Sequence, residues 1–423
     1  MKFIIEPSGI SGLASVPPSK SHTIRAVFFA ALGEGESVIK NPLESSDGDS
    51  ALAAVMTMGA NAKISKGEWL IEGVGGEIIA PLVPVDVGNS GTTARFAISM
   101  ASLNEEPVTI TGDDQTKGRP MGPLLEALSP LGVSSSSAGG KLPVTIRGPI
   151  RGGATTVDGM TSQYLSSLLI HTPLAPEDTV ITLGALNEKP YVDLTLSWLD
   201  KLGIEYKREG YEIFEIRGGQ SYRAFEETIP GDFSSATFFA CMGAMPGCSI
   251  TLTGLDMNDP QGDKETLAYI ARMGASVDID NDNNIVKVTG NKLGGARLDL
   301  NATPDALPAM AALAALADGV TWLGNVPQAR IKETDRIAVM AEELGKMGIL
   351  CEEKPDALIV HGGAPAGAKV SSHGDHRVAM ALALLASQAK GTTVIDKAEA
   401  VNITFPTFAE IFSDVGGVIE AKE

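Results

Sequence analysis

The sequence predicts an α/β fold of two domains, and three observations support this prediction. First, one layout of polar loop, apolar helix, break and short β-branched strand recurs six times along the 423 residues. Second, successive copies lie about 70 residues apart, and a fixed period of this kind is typical of one supersecondary unit used repeatedly. Third, a chain of this length exceeds what a single hydrophobic core supports, so we expect three copies in each of two domains.

Each copy predicts one buried helix. The copies begin near Ser19, Asn89, Thr161, Asp232, Pro304 and Asp375, and their strands contain Ile39, Ile110, Ile181, Ile250, Trp322 and Ile395. The opening helices are apolar on nearly every side, which predicts burial, and they lie in residues 26–32, 94–103, 164–170, 236–242, 306–317 and 377–386. Amphipathic segments between the copies predict outer helices with one face in solvent, in residues 49–58, 123–131, 192–202, 264–273 and 335–347.

The repeats also suggest where the domains meet. Three copies fit into residues 19–229 and three into residues 230–423. We therefore predict an inserted domain of residues 19–229 and a second domain of residues 1–18 plus 230–423. The hinges would lie near 17–19 and 229–232, where prolines occur. Residues 1–18 would add a strand to the second domain.

Composition excludes several classes of protein. The net charge of −19 argues against binding to nucleic acid, which requires a basic face. No apolar run approaches the roughly 20 residues that span a bilayer. The three cysteines, Cys241, Cys248 and Cys351, are odd in number and lack metal-ligand spacing, so we expect a reducing, cytoplasmic location with no disulfide framework and no zinc site.

The first copy opens on P-S-K-S-H-T-I-R and predicts an anion site. Ser21 is a candidate N-cap, and Lys20 and Arg25 lie within about one turn of the helix start, where backbone amides and the helix dipole favour an anion. The alternative is a capped helix that carries two surface cations.

The second and third copies add donors of other kinds. In V-G-N-S-G-T-T-A-R, Gly91 allows close backbone approach, and Arg119 follows in a polar loop. In T-S-Q-Y, the side chains of Thr161, Ser162 and Gln163 are neutral donors suited to orienting a hydroxylated ligand. Capping alone would explain Thr161 or Ser162.

The fifth and sixth copies carry the acid-base candidates. Asp305 follows N-A-T-P, and R-I-K-E-T-D-R contains Lys332, Glu333 and Arg336. Lys332 and Arg336 would share one helix face if the helix has begun by Lys332. In G-D-H-R, the pair His376 and Arg377 stands at the mouth of a buried helix. Together these copies predict a site that binds two polyanionic substrates and moves protons between them. Asp232, in the fourth copy, is interpreted as a helix cap.

These motifs resemble those of the 5-enolpyruvylshikimate-3-phosphate synthase family, which joins phosphoenolpyruvate to shikimate 3-phosphate. The resemblance spans nearly the whole chain, in the order P-P-S-K-S-H-T-I-R, G-N-S-G-T-T-A-R, G-R-P-M, T-S-Q-Y, K-P-Y-V, T-P-D, K-E-T-D-R, D-H-R and F-P. It implies a two-domain enolpyruvyl transferase fold, an inverse α/β barrel of six βαβαββ repeats with three per domain, which closes over the substrates.

The resemblance also implies an activity. The enolpyruvyl group would pass to the 5-hydroxyl of shikimate 3-phosphate by addition and elimination, giving 5-enolpyruvylshikimate 3-phosphate and phosphate in the biosynthesis of chorismate and aromatic amino acids. It implies no metal or organic cofactor, and sensitivity to glyphosate. We expect a monomer that binds small molecules, with no nucleic-acid or membrane partner.

By matching positions, the resemblance implies three sets of site residues. Shikimate 3-phosphate would contact Lys20, Ser21, Arg25, Thr161, Ser162, Gln163, Tyr191, Asp305, Gln328 and Lys332. Phosphoenolpyruvate would contact Lys20, Gly91, Arg119, Gln163, Lys332, Arg336 and Arg377. In the chemistry, Glu333 would protonate C3 of the enol and Asp305 would orient or deprotonate the 5-hydroxyl, with Lys20 and His376 near the leaving phosphate.

Three positions depart from the family pattern. Glu188 stands where many members have a serine that touches the substrate phosphate, and its charge would repel the phosphate unless the side chain turns away or pairs with Lys189. Gln328 replaces an asparagine, and Ile403 replaces a lysine that reaches phosphoenolpyruvate in many members.

Three alternatives remain open. A UDP-N-acetylglucosamine enolpyruvyl transferase shares the repeated fold but carries a cysteine in the loop that corresponds to residues 112–120, where this chain has none. A ring-shaped DNA clamp is also built from a sixfold repeat, but it needs basic, solvated helices. An enolpyruvyl transferase of this family that acts on another polyol phosphate is kept open by Glu188.

Overall fold

The computed structural model describes all 423 residues and divides them into two compact units. Unit 1 comprises Met1–Ser19 and Pro230–Glu423, and unit 2 comprises Lys20–Ile229. Each unit has its own hydrophobic core. No helix combines the length and the apolar character that crossing a membrane would require.

The regular elements alternate along the whole chain. The strands are β1 Lys2–Glu6, β2 Ser11–Ser15, β3 Glu36–Lys40, β4 Asn61–Ser65, β5 Glu68–Glu72, β6 Val85–Asp86, β7 Val108–Thr111, β8 Ser134–Ala138, β9 Lys141–Arg147, β10 Gly153–Thr156, β11 Thr179–Thr182, β12 Tyr206–Glu209, β13 Ile213–Ile216, β14 Glu226–Thr228, β15 Ser249–Thr253, β16 Ser276–Asp280, β17 Ile285–Thr289, β18 Arg297–Asp299, β19 Val320–Gly324, β20 Cys351–Lys354, β21 Ala357–His361, β22 Lys369–Ser371, β23 Thr393–Asp396 and β24 Val418–Lys422. The α-helices are α1 Lys20–Leu32, α2 Ser46–Thr57, α3 Gly91–Ala101, α4 Asp114–Lys117, α5 Gly122–Leu128, α6 Ser162–His171, α7 Lys189–Lys201, α8 Phe233–Ala244, α9 Thr266–Met273, α10 Leu307–Ala314, α11 Arg336–Lys346, α12 His376–Ala386 and α13 Phe408–Asp414.

Six four-stranded sheets repeat one topology. Their orders are β14-β3-β5-β4, β6-β7-β9-β8 and β10-β11-β13-β12 in unit 2, and β2-β15-β17-β16, β18-β19-β21-β20 and β22-β23-β1-β24 in unit 1. In every sheet the first pair of strands is parallel and the other two pairs are antiparallel. The second strand of each sheet carries one of the six predicted strand residues, from Ile39 to Ile395, so the sixfold repeat is confirmed.

The apolar helices form the centre of each unit. All residues of α8 and α12 are buried, as are all residues of α10. Such helices have no polar face to keep in water, so burying them on all sides adds to the hydrophobic stabilisation of each core. The amphipathic segments form outer helices, and α11 buries only five of its eleven residues.

The N-terminal segment differs from the prediction, because it supplies two strands to two different sheets. β1 lies between β23 and β24, where Phe3 pairs with Ile395 and Ala421. β2 runs parallel to β15 at the edge of another sheet. In unit 2, the late strand β14 pairs in parallel with β3, so the end of the inserted segment completes the sheet of its first repeat.

Candidate active site

The first helix carries a buried ion pair at its start. α1 begins at Lys20, so Ser21 lies in the first turn and the prediction of an N-cap at Ser21 is wrong. Lys20 Nζ is 3.1 Å from Asp47 Oδ2, and the two side chains are 15% and 7% exposed. Asp47 lies in the first turn of α2. The lysine therefore has a counter-charge from a neighbouring helix that sequence spacing did not indicate.

Arg25 lies inside unit 2 among neutral partners. Its Nε donates to Thr195 Oγ1 at 2.8 Å, and its terminal nitrogens donate to the carbonyl oxygens of Tyr191 at 3.0 Å and Ser21 at 3.1 Å. A longer contact of 3.4 Å reaches Ser166 Oγ on α6. Burial lowers the pKa of Arg25 to about 9. An anion that approaches a cation among neutral groups stabilises the charged form of that cation.

Gly91 permits two guanidinium groups to lie against the start of α3. A Cβ at this position would lie 2.2 Å from Arg119 Nη1 and 2.6 Å from Arg95 Nη1. Arg95 donates to the carbonyl oxygens of Gly91 at 2.9 Å and Pro120 at 3.0 Å, which fixes the turn that carries Arg119. The side chain of Arg119 is 8% exposed. The polar loop of residues 112–120 contains the short helix α4.

The start of α6 presents three polar side chains. Thr161 is the N-cap, and its side chain accepts a hydrogen bond from the backbone N–H of Gln163. The amide nitrogen of the Gln163 side chain donates to Thr92 Oγ1 at 3.2 Å. Ser162 is the first residue of the helix and is 2% exposed.

Glu188 occupies this helix start. Its Oε2 accepts hydrogen bonds from Thr161 Oγ1 at 3.1 Å, from the backbone N–H of Ser162 at 3.1 Å and from Ser162 Oγ at 2.8 Å. The Glu188 side chain therefore does not turn away from the helix start, as one expectation had it. It also does not pair with Lys189, whose ammonium lies over the ring of Tyr211, 5.1 Å from its centroid.

In unit 1, Arg336 is the centre of a network of three carboxylates. Its Nη1 is 2.7 Å from Asp305 Oδ1, its Nη2 is 2.7 Å from Glu333 Oε2, and its Nε is 2.8 Å from Asp375 Oδ2. The side chain is 1% exposed. Burial by itself lowers the pKa of Arg336, but the charges of the three carboxylates more than offset that effect and raise the pKa above its ordinary value.

Asp305 in turn meets three cations. Besides Arg336, its carboxylate lies 3.1 Å from Arg377 Nη2 and 3.7 Å from Lys332 Nζ. α11 begins at Arg336, so Lys332 lies before the helix and the condition for a shared helix face is not met. The carboxylate of Asp305 brings Lys332 and Arg336 together instead.

Asp375 and Asp232 are the N-caps of two helices in unit 1. Asp375 is the N-cap of α12 and accepts hydrogen bonds from the Arg377 backbone N–H at 2.9 Å and from Thr334 Oγ1 at 3.1 Å. His376 is the first residue of that helix and is fully buried. Asp232 caps α8, as interpreted from the sequence.

The remaining predicted positions lie in short helical turns of unit 1. Gln328 is fully buried in the turn Pro327–Ile331, and its amide nitrogen donates to the carbonyl oxygen of Asn301 at 2.9 Å. Ile403 ends the turn Ala398–Ile403. Tyr191 lies in α7 of unit 2, where its carbonyl oxygen accepts the hydrogen bond from Arg25.

The geometry thus gives each unit a distinct chemical character. Unit 2 has helix starts with cations and hydroxyl donors, which suit anions. Unit 1 has alternating carboxylates and cations, a composition that can bind an anion and transfer protons. Sequence reasoning gave no role to Asp47 or to Asp375 as the partner of Arg336. An aspartate before an apolar helix indicates a cap, but its contact with a residue 39 positions away is not visible in the sequence.

Comparisons with known proteins identify similar chains. The model of the family EPSP synthase (3-phosphoshikimate 1-carboxyvinyltransferase) matches residues 4–412. The 3-phosphoshikimate 1-carboxyvinyltransferase of Acetivibrio thermocellus is 49% identical over 425 residues, which cover 100% of both chains. That of Ruminiclostridium cellulolyticum is 47% identical over 418 residues, which cover 98% of this chain and 99% of the relative.

Solved structures agree with these similarities. The EPSP synthase of Acinetobacter baumannii has a TM-score of 0.82 and 29% identity, with 100% of both chains covered. An enolpyruvyl transferase from Streptomyces tendae, at 18% identity and a TM-score of 0.79, shares the fold over 99% of this chain and 98% of its own.

Proposed function

This chain belongs to the EPSP synthase (3-phosphoshikimate 1-carboxyvinyltransferase) family, and on this premise we propose how its residues carry out the transfer. The enzyme is a transferase that moves the carboxyvinyl group of phosphoenolpyruvate to the 5-hydroxyl of shikimate 3-phosphate and releases phosphate, in aromatic amino acid biosynthesis. The two-domain enolpyruvyl transferase fold expected from the sequence is confirmed. The sugar-nucleotide transferase and the DNA clamp are not favoured.

Shikimate 3-phosphate is assigned mainly to unit 2. Its proposed contacts are Lys20, Ser21, Arg25, Thr161, Ser162, Gln163 and Tyr191, with Asp305, Gln328 and Lys332 of unit 1. We place its phosphate at the start of α6, because two hydroxyls and a helix-start N–H already bind a carboxylate there. The buried charge of Arg25 adds to the attraction for an anion.

Phosphoenolpyruvate is assigned to the cations. Its proposed contacts are Lys20, Gly91, Arg119, Gln163, Lys332, Arg336 and Arg377. Guanidinium groups suit its carboxylate and phosphate because their donors form paired hydrogen bonds with such anions. Since Arg336 and Arg377 already contact carboxylates, the incoming anion competes with Asp305 and Glu333 for them. This competition makes both carboxylates better proton acceptors.

The two carboxylates divide the proton transfers between them. In the addition, the Glu333 carboxyl donates a proton to C3, the 5-hydroxyl oxygen bonds to C2, and Asp305 orients the hydroxyl and takes its proton. In the elimination, Glu333 takes a proton back from C3, the C2–O bond to phosphate breaks, and the C2–C3 double bond forms again. The proton that Asp305 took from the 5-hydroxyl passes to the leaving phosphate, which restores the Asp305 carboxylate. Lys20 and His376 are assigned to the leaving phosphate, and the Lys20 cation stabilises its charge.

The observation that carries this proposal is the set of ion pairs around Arg336, which places Asp305 and Glu333 on one guanidinium. The first test is phosphate release after purified protein is mixed with phosphoenolpyruvate and shikimate 3-phosphate. We expect turnover with this pair. Absence of release with this pair, together with release when another acceptor is supplied, would show that the acceptor is assigned wrongly.

The carboxylate roles are tested by Glu333→Gln and Asp305→Asn, which keep the shape of each side chain. Each is expected to lower the rate of single-turnover phosphate release by about 10²–10⁴-fold, the usual contribution of a general acid or base. Glu342→Gln is the matched control, because Glu342 lies on α11 with its side chain 55% exposed. Near-normal turnover in either site variant would remove that residue from the scheme.

A further inference from the structure

The start of α6 already holds an anion that belongs to the chain. Glu188 is 1% exposed, and a single carboxylate oxygen accepts all three hydrogen bonds from Thr161 and Ser162. These donors belong to the N-cap and the first residue of a ten-residue helix, whose dipole favours negative charge at this end. The carboxylate therefore occupies the position that suits a phosphate oxygen.

The backbone at Glu188 is held in an uncommon conformation. Its φ and ψ are 58° and 38°, in the left-handed region that residues with a Cβ seldom adopt. The peptide N–H of Tyr191 donates to the carbonyl oxygen of Glu188 at 3.0 Å, which closes a turn at the start of α7. The carboxylate is therefore aimed at α6 by an ordered turn.

A phosphate and this carboxylate cannot share the same donors. Thr161 and Ser162 offer two hydroxyls and one N–H, and the Glu188 oxygen accepts from all three. Two anions at hydrogen-bonding distance from one set of donors would also repel each other strongly in a site shielded from water. A phosphate can bind there only when the Glu188 side chain moves off the helix start.

We propose that Glu188 is an internal competitor for the phosphate of the acceptor, which must displace this carboxylate from Thr161 and Ser162 in order to bind. The inference rests on the proposed function, in which these two residues bind shikimate 3-phosphate. Glu188 is thus a positioning residue that sets the affinity for the acceptor. It takes no part in the bonds that form and break at C2, C3 and the 5-hydroxyl.

Arg25 supports this exchange from a position one turn further along the same helix. Its guanidinium contacts Ser166, one turn after Ser162, and the carbonyl oxygen of Tyr191, in the turn that follows Glu188. A cation that touches both segments attracts a doubly charged phosphate more strongly than a singly charged carboxylate. The exchange therefore favours a phosphorylated acceptor once its concentration is sufficient.

The test compares the wild type with Glu188→Gln and Glu188→Ser. Glutamine keeps the size of the side chain without its charge, and serine adds a hydroxyl donor in a smaller side chain. Removing the competing charge should lower KM for shikimate 3-phosphate, and its dissociation constant in calorimetry, by on the order of tenfold. The kcat should change by less than about threefold, because interactions with the reacting atoms are kept.

The matched control is Glu209→Gln. This change removes one negative charge from an exposed position in β12 of the same unit, and KM should stay at the wild-type value. Inorganic phosphate is a second probe, and it should inhibit the Glu188 variants at lower concentrations than the wild type. Circular dichroism of each variant checks that it is folded.

Two outcomes would overturn the inference while leaving the proposed function standing. In the first, the Glu188→Gln and Glu188→Ser variants are both folded and active, and their KM for shikimate 3-phosphate equals or exceeds that of the wild type. In the second, the wild-type enzyme turns over unphosphorylated shikimate with a lower KM than shikimate 3-phosphate, since Glu188 would then favour a neutral group at the start of α6. Failure of the proposed function has a different signature, because the wild type itself would release no phosphate with phosphoenolpyruvate and shikimate 3-phosphate.

Discussion

Arg336 shows how a single residue can hold a site together. Its guanidinium bonds to three carboxylates that come from three separate stretches of unit 1, namely Asp305, Glu333 and Asp375. In a buried setting each carboxylate needs a partner, since an uncompensated charge there is strongly destabilising. The planar guanidinium of arginine presents five N–H donors in fixed directions, whereas the ammonium group of lysine has three.

The replacement Arg336→Lys tests this role. We expect a loss of about 1–3 kcal/mol in the free energy of unfolding, because lysine keeps the charge but leaves buried carboxylate oxygens without a hydrogen bond. Catalytic efficiency, kcat/KM for phosphoenolpyruvate, should fall by on the order of 100-fold, because Asp305 and Glu333 lose their common support. Thermal unfolding and steady-state kinetics measure the two effects.

Arg217→Lys is the control for this change. Arg217 forms a surface ion pair with Glu205, in which both side chains are more than half exposed, and such pairs contribute little. The assigned role of Arg336 would be contradicted if both variants kept wild-type stability and activity.

At the scale of elements, helix α6 begins at the proposed phosphate site and ends at a buried histidine. His171 is fully buried, its Nδ1 lies 2.7 Å from the carbonyl oxygen of Ser167, and the ring packs edge-on against Phe28. The geometry fits a neutral ring that donates from Nδ1 and leaves Nε2 buried without a hydrogen bond. Burial lowers the pKa of His171 to about 4.

This shift predicts a loss of stability in acid. An unfolded chain takes up a proton at His171 near its ordinary pKa of about 6.5, while the folded protein resists protonation until pH is near 4. Stability should therefore fall as pH decreases between about 6.5 and 4, by about 3 kcal/mol for this residue alone. Urea unfolding at several pH values measures the slope.

The variant His171→Asn isolates that contribution. Asparagine can still donate to the Ser167 carbonyl oxygen but does not titrate, so the stability of the variant should depend less on pH in this range, although it starts from a lower value because a cavity forms. Identical slopes for the wild type and the variant would refute the prediction.

Elements of the repeat were largely predictable, whereas their partners were not. An apolar run with no polar face must be buried wherever it lies, so α8, α10 and α12 follow from local sequence. Strand pairing and ion pairing depend on residues far apart in the chain. The insertion of β1 between β23 and β24, and the contact between Glu188 and Ser162, therefore required the structure.

At the scale of the whole molecule, the chain builds one unit from a continuous segment and the other from two segments. The three sheets of unit 2 consist only of strands between β3 and β14, and its hydrophobic core lies between Ile24 and Ile229. We expect a fragment of residues 20–229 to unfold cooperatively on its own, because every strand and core residue of that unit is present. Far-ultraviolet circular dichroism during heating checks this expectation, and a non-cooperative melt would contradict it.

Removal of residues 1–15 should have the opposite effect on unit 1. β1 is an inner strand bonded on both sides, and Phe3 and Ile5 are fully buried, with Phe3 stacked on Phe408 at 6.5 Å between ring centroids. The deletion also takes away β2, the edge strand beside β15. Losing this strand leaves β24 without a partner and one edge of β23 unpaired, and it opens the core between them, a change that neighbouring side chains cannot repair. Limited proteolysis of the shortened protein should therefore cut residues 230–423 rapidly and leave a fragment close to residues 20–229, whereas protection of both units would show that β1 is dispensable.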